Sequence, residues 1–572
     1  MSDNWKDICL ARKSAQLALI PREWIIQVPP ETQTNVMDVP QECGLLTKRE
    51  LQITETTDVE ILLNKLHSSE WSSEEVTTAF YKRSVIAQQL TNCLTEIFIE
   101  RALQRARELD GILKKTGKIV GPLHGLPISL KDQFAMKGLE TIMGYVAWVG
   151  KYAESDCVLV EILYECGAVP FVRTNVPQAL MWWETYNHVF GRTTNPYNRR
   201  LTPGGSSGGE AALIAMRGSP LGVGTDVGGS QRVPAAFCNL YTLRPSYDRL
   251  PYYGAANSQE GQESIVSTLG PMSNSMSGIK IFTKAIIDAK PWTRDPLARK
   301  RQWSEEEYSL SEHGGGKMLC FGMMWDNGIA RPHPPLQRAM KMTKEALEAA
   351  GHKVIDWEPH RLVELYVNSE NIFGADGDYD RRSHCELSGE PVIETMAPIG
   401  DAHENILGEA FVRTLMDKSG LRSAYDLWKL HREKRELRKS HLEHWKKTVE
   451  RTGTGRPVDA IISPTIAYTP APHGLNMSDS FYSTLSNSLD YASCSFPVTF
   501  VDAELDKPQP PHAFYNHEDE ALFNLYSTDV FAGSPVGLQL IGGPQEEEAV
   551  IAMTEIVDRA LKVYDAKGRL AD

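Results

Sequence analysis

The sequence predicts an α/β protein. Helix signals with their own capping and stop residues, short apolar runs bounded by glycine that read as buried strands, and the alternation of the two along the chain carry this reading. With 572 residues, of which 41% are hydrophobic, the chain can bury a large core, which excludes a disordered or fibrous protein.

Residues 1–71 read as a polar, helical lead-in, with a helical stretch over Val59–Leu66. A stronger start follows at Ser72, where Glu75 completes a capping box and Val76, Ala79, Phe80 and Ile86 recur at helical spacing. The segment stays helix-rich to Asp110. From Gly121 short apolar runs are punctuated by glycine: Val158–Glu165 reads as a helix, Gly167 as its stop, and Ala168–Val172 as a buried strand leading to Thr174. A glycine-dense block covers Thr202–Ser246. About 290–450 reads as a charged, mostly helical insert, and its run Asp426–Glu450 as a solvated helix face. Asp459–Pro464 and Pro535–Ile541 read as buried strands, and Glu546–Leu561 as a closing helix. Strands fall on both sides of the insert, so residues 72–572 are expected to form one large domain whose sheet the C-terminal part completes.

A formal charge of -14 and a pI near 5.6 argue against nucleic acid as partner, because phosphate recognition needs clustered Lys and Arg. The nine cysteines are scattered with no CxxC pair, the pattern of reduced, buried thiols in a cytoplasmic protein. Charges interrupt every apolar run near the N-terminus, so no secretory signal is expected, and no run approaches the roughly 20 residues that span a bilayer. No membrane partner is expected.

Three segments carry the chemistry: GPLHGLPISLKDQF at Gly121–Phe134, which delivers Lys131 at the end of an apolar run, TPGGSSGGE at Thr202–Glu210, and GVGTDVGGSQRVPAAF at Gly222–Phe237. Singly each has a plain explanation as a surface charge, a turn or a flexible link. GGSSGG is no P-loop, since Gly209 is followed by Glu210 where Lys and a hydroxyl are needed. It fits GxSxG on Ser206 and again on Ser207, but none of the 15 histidines stands in a recognisable triad context. Ser277 and Lys280 fall at SxxK spacing, where Ser277 reads better as a helix N-cap. His441 and His444 lie three apart on what reads as a wet helix face, without a third ligand, so no metal is expected.

Taken together, GPLHGLPISLKD, PGGSSGGE and GTDVGGSQRVPA resemble the amidase signature motifs in order and spacing, with 75 residues from Lys131 to Ser206 and 24 from Ser206 to Ser230. The likeness continues through Thr174–Pro196, Arg249–Gly261 and Ser534–Glu548, and its details are closest to acetamidase-type fungal amidases. It implies the amidase signature fold, a central mixed, twisted sheet flanked by helices, and no cofactor. It also implies a Lys, cis-Ser, Ser triad: Ser230 as nucleophile, Ser206 as bridge after a cis Gly205–Ser206 peptide, and Lys131 as base.

The residue chemistry fits those roles. A serine hydroxyl needs a base within reach. Lysine can serve only when neutral, although its ordinary pKa is about 10.4, and burial supplies the necessary lowering. Backbone N–H groups of Val227, Gly228, Gly229 and Ser230 can turn toward one point as an oxyanion hole. Ser207 belongs to the supporting loop, and Asp226 with Arg232 reads as its ion-pair scaffold. Leu180, Met181, Trp182 and Trp183 align with the acyl-pocket segment, where two tryptophans predict a small or planar acyl group. The sequence departs from the family pattern at Gln231, where an aliphatic residue is common, and at Asn239 and Thr242, where glycines are usual.

The expected activity is hydrolysis of a small-molecule amide. Acyl transfer from the same acyl-enzyme, or a catalytically weakened binding homologue, are the alternatives. An amidotransferase acting on charged tRNA is weaker, because the acidic chain offers no evident basic surface. The reading leaves room for a homodimer.

Overall fold

The computed structural model describes residues 4–393, 421–475 and 480–568. Its centre is an eleven-stranded mixed sheet. In chain order the strands are β1 (Leu94–Ile97), β2 (Pro127–Lys131), β3 (Val169–Thr174), β4 (Leu221–Asp226), β5 (Tyr241–Arg244), β6 (Thr268–Ser273), β7 (Cys320–Met323), β8 (Lys353–Asp356), β9 (Ala460–Pro464), β10 (Ser493–Phe500) and β11 (Pro535–Ile541). Across the sheet they lie β1-β3-β2-β4-β6-β5-β10-β11-β9-β7-β8. β2 runs parallel to both β3 and β4, whereas β4, β6, β5, β10, β11 and β9 follow one another antiparallel. Helices flank this sheet, so the fold class is the α/β arrangement that the resemblance implied.

The apolar runs become strands because both faces are covered. Every residue of β2, β3, β4, β6 and β11 is buried, which is why these segments read as continuous apolar stretches rather than alternating ones. The helix Ser73–Thr91 starts at its Ser72 cap, whose side chain accepts from the Glu75 amide. The return half of the capping box is missing, because the Glu75 carboxylate takes Arg49. The helix Val158–Glu165 has the expected bounds.

Several readings need correction. The helix-rich stretch to Asp110 contains β1, a four-residue strand too short to leave a periodic signature. The charged stretch 290–450 is mostly helical where described, and 394–420 lie outside the described residues, but it also supplies β7 and β8 to the sheet. Ser275, rather than Ser277, caps the helix Met276–Asp288; Ser277 donates to Asp58 instead.

The helix Ala424–Lys447 is largely exposed along its charged run, yet it buries Lys434, Leu437 and His441. His441 sits against His360, and His360 stacks on His444 at 4.6 Å, so this part of the face is packed rather than wet. Among the described residues no group of three His, Cys, Asp or Glu side chains could hold a metal. No helix among them is long and apolar enough to cross a membrane. All nine cysteines are free.

The closing helix Glu547–Gly568 is tied to the loop that follows β5 by a buried ion cluster. Arg249 reaches Glu547 at 3.1 Å and Glu548 at 2.5 Å, with all three side chains fully buried. Removing one member leaves uncompensated buried charge, which costs about 3–5 kcal/mol. Arg249→Met is therefore expected to lower the thermal unfolding midpoint well beyond Arg299→Met, whose partner Asp248 and whose own side chain reach solvent. Equal midpoints for the two variants would contradict this.

Candidate active site

Parallel pairing, in register from Ile128 with Leu221 to Leu130 with Val223, brings the end of β2 at Lys131 alongside the end of β4, where Thr225 is the penultimate residue. The loops carrying Ser206 and Ser230 meet at this end of the two strands, one leading into the helix Gly208–Ala215 and the other from β4 into the helix Arg232–Phe237. Lys131 Nζ lies 2.8 Å from Ser206 Oγ and 2.7 Å from Thr225 Oγ1. The lysine is fully buried. Burial lowers its pKa to about 7, although Asp226 and Glu210 pull upward.

The Gly205–Ser206 peptide is cis. A Cβ at position 205 would overlap the Trp182 carbonyl and stand 3.0 Å from the Glu184 amide, so the loop backs directly onto the tryptophan segment. Ser207 joins the two serine loops: its N–H donates to the Ser230 carbonyl at 2.9 Å, and its hydroxyl accepts from the Thr225 amide at 3.3 Å. Lys131 and Ser206 are thus in contact, while Ser206 and Ser230 are coupled through this backbone bridge with no direct bond between their hydroxyls. Ser230 is 6% exposed, against 1% for Ser206 and none for Lys131. All three are buried, Lys131 most deeply.

Asp226 and Arg232 make a bidentate, fully buried ion pair, with both contacts at 3.0 Å. Burial alone would raise the Asp226 pKa, but Arg232 and a hydrogen bond from Asn487 overcome it and hold the carboxyl down at about 2. Asp226 then accepts the Gly229 amide at 2.7 Å. Of the four amides expected to face an oxyanion, that of Gly229 is therefore committed to the scaffold. Gly229 has φ +132, and a Cβ there would collide with Ser483 and stand 3.2 Å from Trp183 Cζ3, so only glycine fits. From the far end of the chain, Ser483 and Thr484 donate to the Gly228 carbonyl at 2.6 and 2.8 Å.

The four pocket candidates separate. Trp183 is partly buried and its ring edge stands over Gly228 and Gly229. Trp182 is buried against Ile393 and Tyr186 with Arg381 over its ring. Leu180 is buried with Tyr145, Val176 and Cys385, and Met181 is half-buried. Ala179 and Leu180 both have φ +62; hydrogen bonds of Ala179 to Met143 and Ser258 pin this turn.

Sequence reasoning missed Thr225, Gln133 and Glu210. Thr225 and Gln133 lie inside the matched motifs but carry no charge or periodic signal. Glu210 is fully buried, its pKa pushed up to about 7 by burial while Ser129 and Thr174 donate to it. It occupies the space that Gly222 leaves by having no Cβ.

Comparison with known proteins gives consistent matches. The family model described as Amidase matches residues 75–551. The chain is 39% identical to the acetamidase of Emericella nidulans over 98% of this chain and 99% of that protein. It is 38% identical to the acetamidase of Aspergillus oryzae, with the same coverage. Among solved structures, a fatty acid amide hydrolase superposes with TM-score 0.87 at 31% identity, covering 98% of this chain and 95% of the other.

The departures from the family pattern answer one another. Gln231 donates to Thr242 Oγ1, to the Leu243 carbonyl at 2.8 Å and to the Pro271 carbonyl at 3.3 Å. A hydroxyl at 242 and an amide at 231 therefore arrive as a pair. Asn239 takes φ +60, a conformation that Asn tolerates better than most residues where glycine is usual. An orphaned buried polar group costs about 1–3 kcal/mol. Gln231→Leu and Thr242→Gly should each destabilise alone, while the double variant loses less than the sum by about 1 kcal/mol or more; strict additivity of the unfolding free energies would refute the pairing.

Proposed function

We propose that this chain, which belongs to the amidase family, hydrolyses the C–N bond of small carboxamides through a serine acyl-enzyme, with Ser230 as nucleophile, Ser206 as proton relay and Lys131 as base. The observation that carries this reading is the fully buried amine 2.8 Å from the Ser206 hydroxyl. An exposed lysine at pH 7 is neutral in only about one molecule in a few thousand. Held near about 7, Lys131 is neutral in about half of them. Histidine becomes unnecessary.

In this mechanism Ser230 Oγ attacks the amide carbon as its proton passes to Ser206 Oγ and the Ser206 proton passes to Lys131 Nζ. The tetrahedral oxyanion is met by amides of the 227–230 turn, and because Gly229 is engaged by Asp226 the candidate donors are Val227, Gly228 and Ser230. Each such donor is worth about 2.7–4 kcal/mol. Collapse breaks the C–N bond as Ser206 protonates the departing nitrogen and recovers a proton from the Lys131 ammonium. Water then repeats the sequence on the acyl-enzyme and releases the acid. Catalytic hydrogen bonds are often long in an empty site and tighten with substrate bound, which fits two serine hydroxyls that do not yet touch.

Fluorophosphonate labelling tests the assignment without knowledge of the natural amide. The wild type should form a covalent adduct on Ser230, Ser230→Ala should form none, and Lys131→Ala should react about 10²–10⁴-fold more slowly. Because the active form is the neutral amine, rates should rise with pH through about 7 and level above it. A flat profile from pH 5 to 9 would remove lysine as the base.

For the acyl group, the edge of the Trp183 ring beside Gly228 and Gly229 narrows the space next to Ser230 and favours a small or planar acyl group over a long flexible one. Turnover is expected to be faster on acetamide or benzamide than on a long-chain fatty amide. The reverse order would rule out this specificity.

A further inference from the structure

We infer that Gln133 is a positioning residue that aims the free electron pair of Lys131 at Ser206 by fixing which way the Thr225 hydroxyl points. The inference rests on the proposed role of Lys131 as base and concerns a residue two positions beyond it in the chain.

The argument is one of hydrogen-bond direction. Gln133 Nε2 donates to the Ala256 carbonyl at 2.8 Å and to the Tyr252 hydroxyl at 2.9 Å. A backbone carbonyl can only accept, so the amide nitrogen must face it, and Oε1 must face the other way. Tyr252 spends its own proton on Ser267 at 2.8 Å, which leaves its oxygen to accept from Gln133. Oε1 then lies 2.5 Å from Thr225 Oγ1 and can only accept. Thr225 owns a single hydroxyl proton, and it goes to Gln133.

The consequence falls on the lysine. Among the described residues, Nζ has two hydrogen-bond partners, the hydroxyls of Thr225 and Ser206. A neutral amine carries two N–H donors and one lone pair. With its proton committed to Gln133, Thr225 can accept from Nζ but cannot donate to it. The lone pair is left with one hydroxyl able to donate into it, that of Ser206, which is the direction the proton must travel when Ser230 attacks. Without Gln133 the Thr225 hydroxyl could rotate, donate to the amine and compete with Ser206 for the lone pair. All of Lys131, Gln133 and Thr225 are buried, at 0, 0 and 3% exposure, so bulk water is excluded as a substitute partner.

The same geometry sets the sign of the effect on pH dependence. A hydroxyl donated to the neutral amine stabilises the neutral form, and loss of the Gln133 carbonyl weakens Thr225 as acceptor for the ammonium. Both favour the unprotonated lysine, so the acidic limb should move to lower pH even as the plateau rate falls. A merely structural lesion would lower the plateau without moving the limb.

The experiment follows fluorophosphonate labelling and acetamide turnover of the full chain from pH 5 to 10 in Gln133→Leu and Gln133→Glu. Q133L is expected to lose at least ten-fold in plateau labelling rate with its acidic limb displaced to lower pH. Q133E keeps an oxygen facing Thr225 but adds a charge that holds the ammonium, so its limb should move to higher pH, opposite to Q133L, with the rate climbing toward the wild-type plateau at the alkaline end. Lys131→Ala and Ser230→Ala run alongside. If those two retain labelling, the triad assignment fails; if they lose it while Q133L keeps the wild-type plateau and limb, the role of Gln133 fails and the triad stands. Should Q133L not fold, Gln133→Met, which likewise removes the carbonyl acceptor for Thr225, decides in its place: a plateau at least ten-fold lower with the limb displaced to lower pH supports the inference, and a wild-type plateau and limb overturns it.

Discussion

Lys131 is carried into the interior on the end of a strand with parallel neighbours on both sides, and withdrawing water from its amine is the constraint that the surrounding residues satisfy. Desolvation favours the neutral form, but a nearby carboxylate would undo it. At an effective dielectric near 20, an opposite charge about 4 Å away is worth about 4 kcal/mol, close to three pKa units, enough to return the lysine to its ordinary protonated state. Two carboxyl groups influence the amine, and each is managed differently. Asp226 stays ionised, but its charge is matched by the guanidinium of Arg232 at 3.0 Å on both oxygens. Glu210 has no such cation; burial pushes its pKa up to about 7, and it is held by hydroxyl donors from Ser129 and Thr174. Neither offers the lysine a full counter-charge.

How much of this was legible in the sequence follows the kind of interaction that specifies each part. Strands covered on both faces announce themselves as apolar runs, so β3, β9 and β11 could be read directly. β1, β7 and β8 are four residues each, and the burial of β8 is incomplete, so the charged helices around them masked their pattern. The Ser72 cap was visible because its partner is three residues away. The competing claim of Arg49 on Glu75, 26 residues distant, was not. Lys131, Ser206 and Ser230 stood out because glycine-rich turns and a resemblance marked them, whereas Thr225 and Gln133 are ordinary polar residues whose importance lies in which atom donates to which. His441 read as exposed because its neighbours in sequence are charged, and it is buried because His360 comes to it from another segment.

Departures from a family pattern are informative when they can be traced to contact. Gln231 and Thr242 lie eleven residues apart and meet at β5, so each would look like an isolated oddity in the sequence, whereas in the structure the Gln231 amide N–H is held by the Thr242 hydroxyl although its Oε1 stays buried without a partner among the described residues. The unusual residues therefore repack the floor behind Ser230 without touching Lys131 or Ser206. That is a different matter from loss of a reacting group, and it leaves the chemistry of the opening intact.

The glycine-dense block has a physical meaning opposite to flexibility. The turn from Val227 to Ser230 is clamped from outside by Ser483 and Thr484, which donate to the Gly228 carbonyl, and by Asn487, which donates to Asp226 at 2.9 Å. These partners lie some 255–261 residues further along the chain. On the other side Trp183 stands over the same two glycines. A side chain is excluded at Gly229 because Ser483 and Trp183 already fill the space, and the loop is held in shape by contacts from the C-terminal segment. A site that must aim amides and a hydroxyl to within a fraction of an ångström is thus built from residues with little shape of their own, held by contacts that local sequence cannot reveal. The long span of the family resemblance, which continues through the C-terminal strand, follows from that dependence: the reacting residues sit in the first half of the chain, but the rigidity of their loop is supplied by the second.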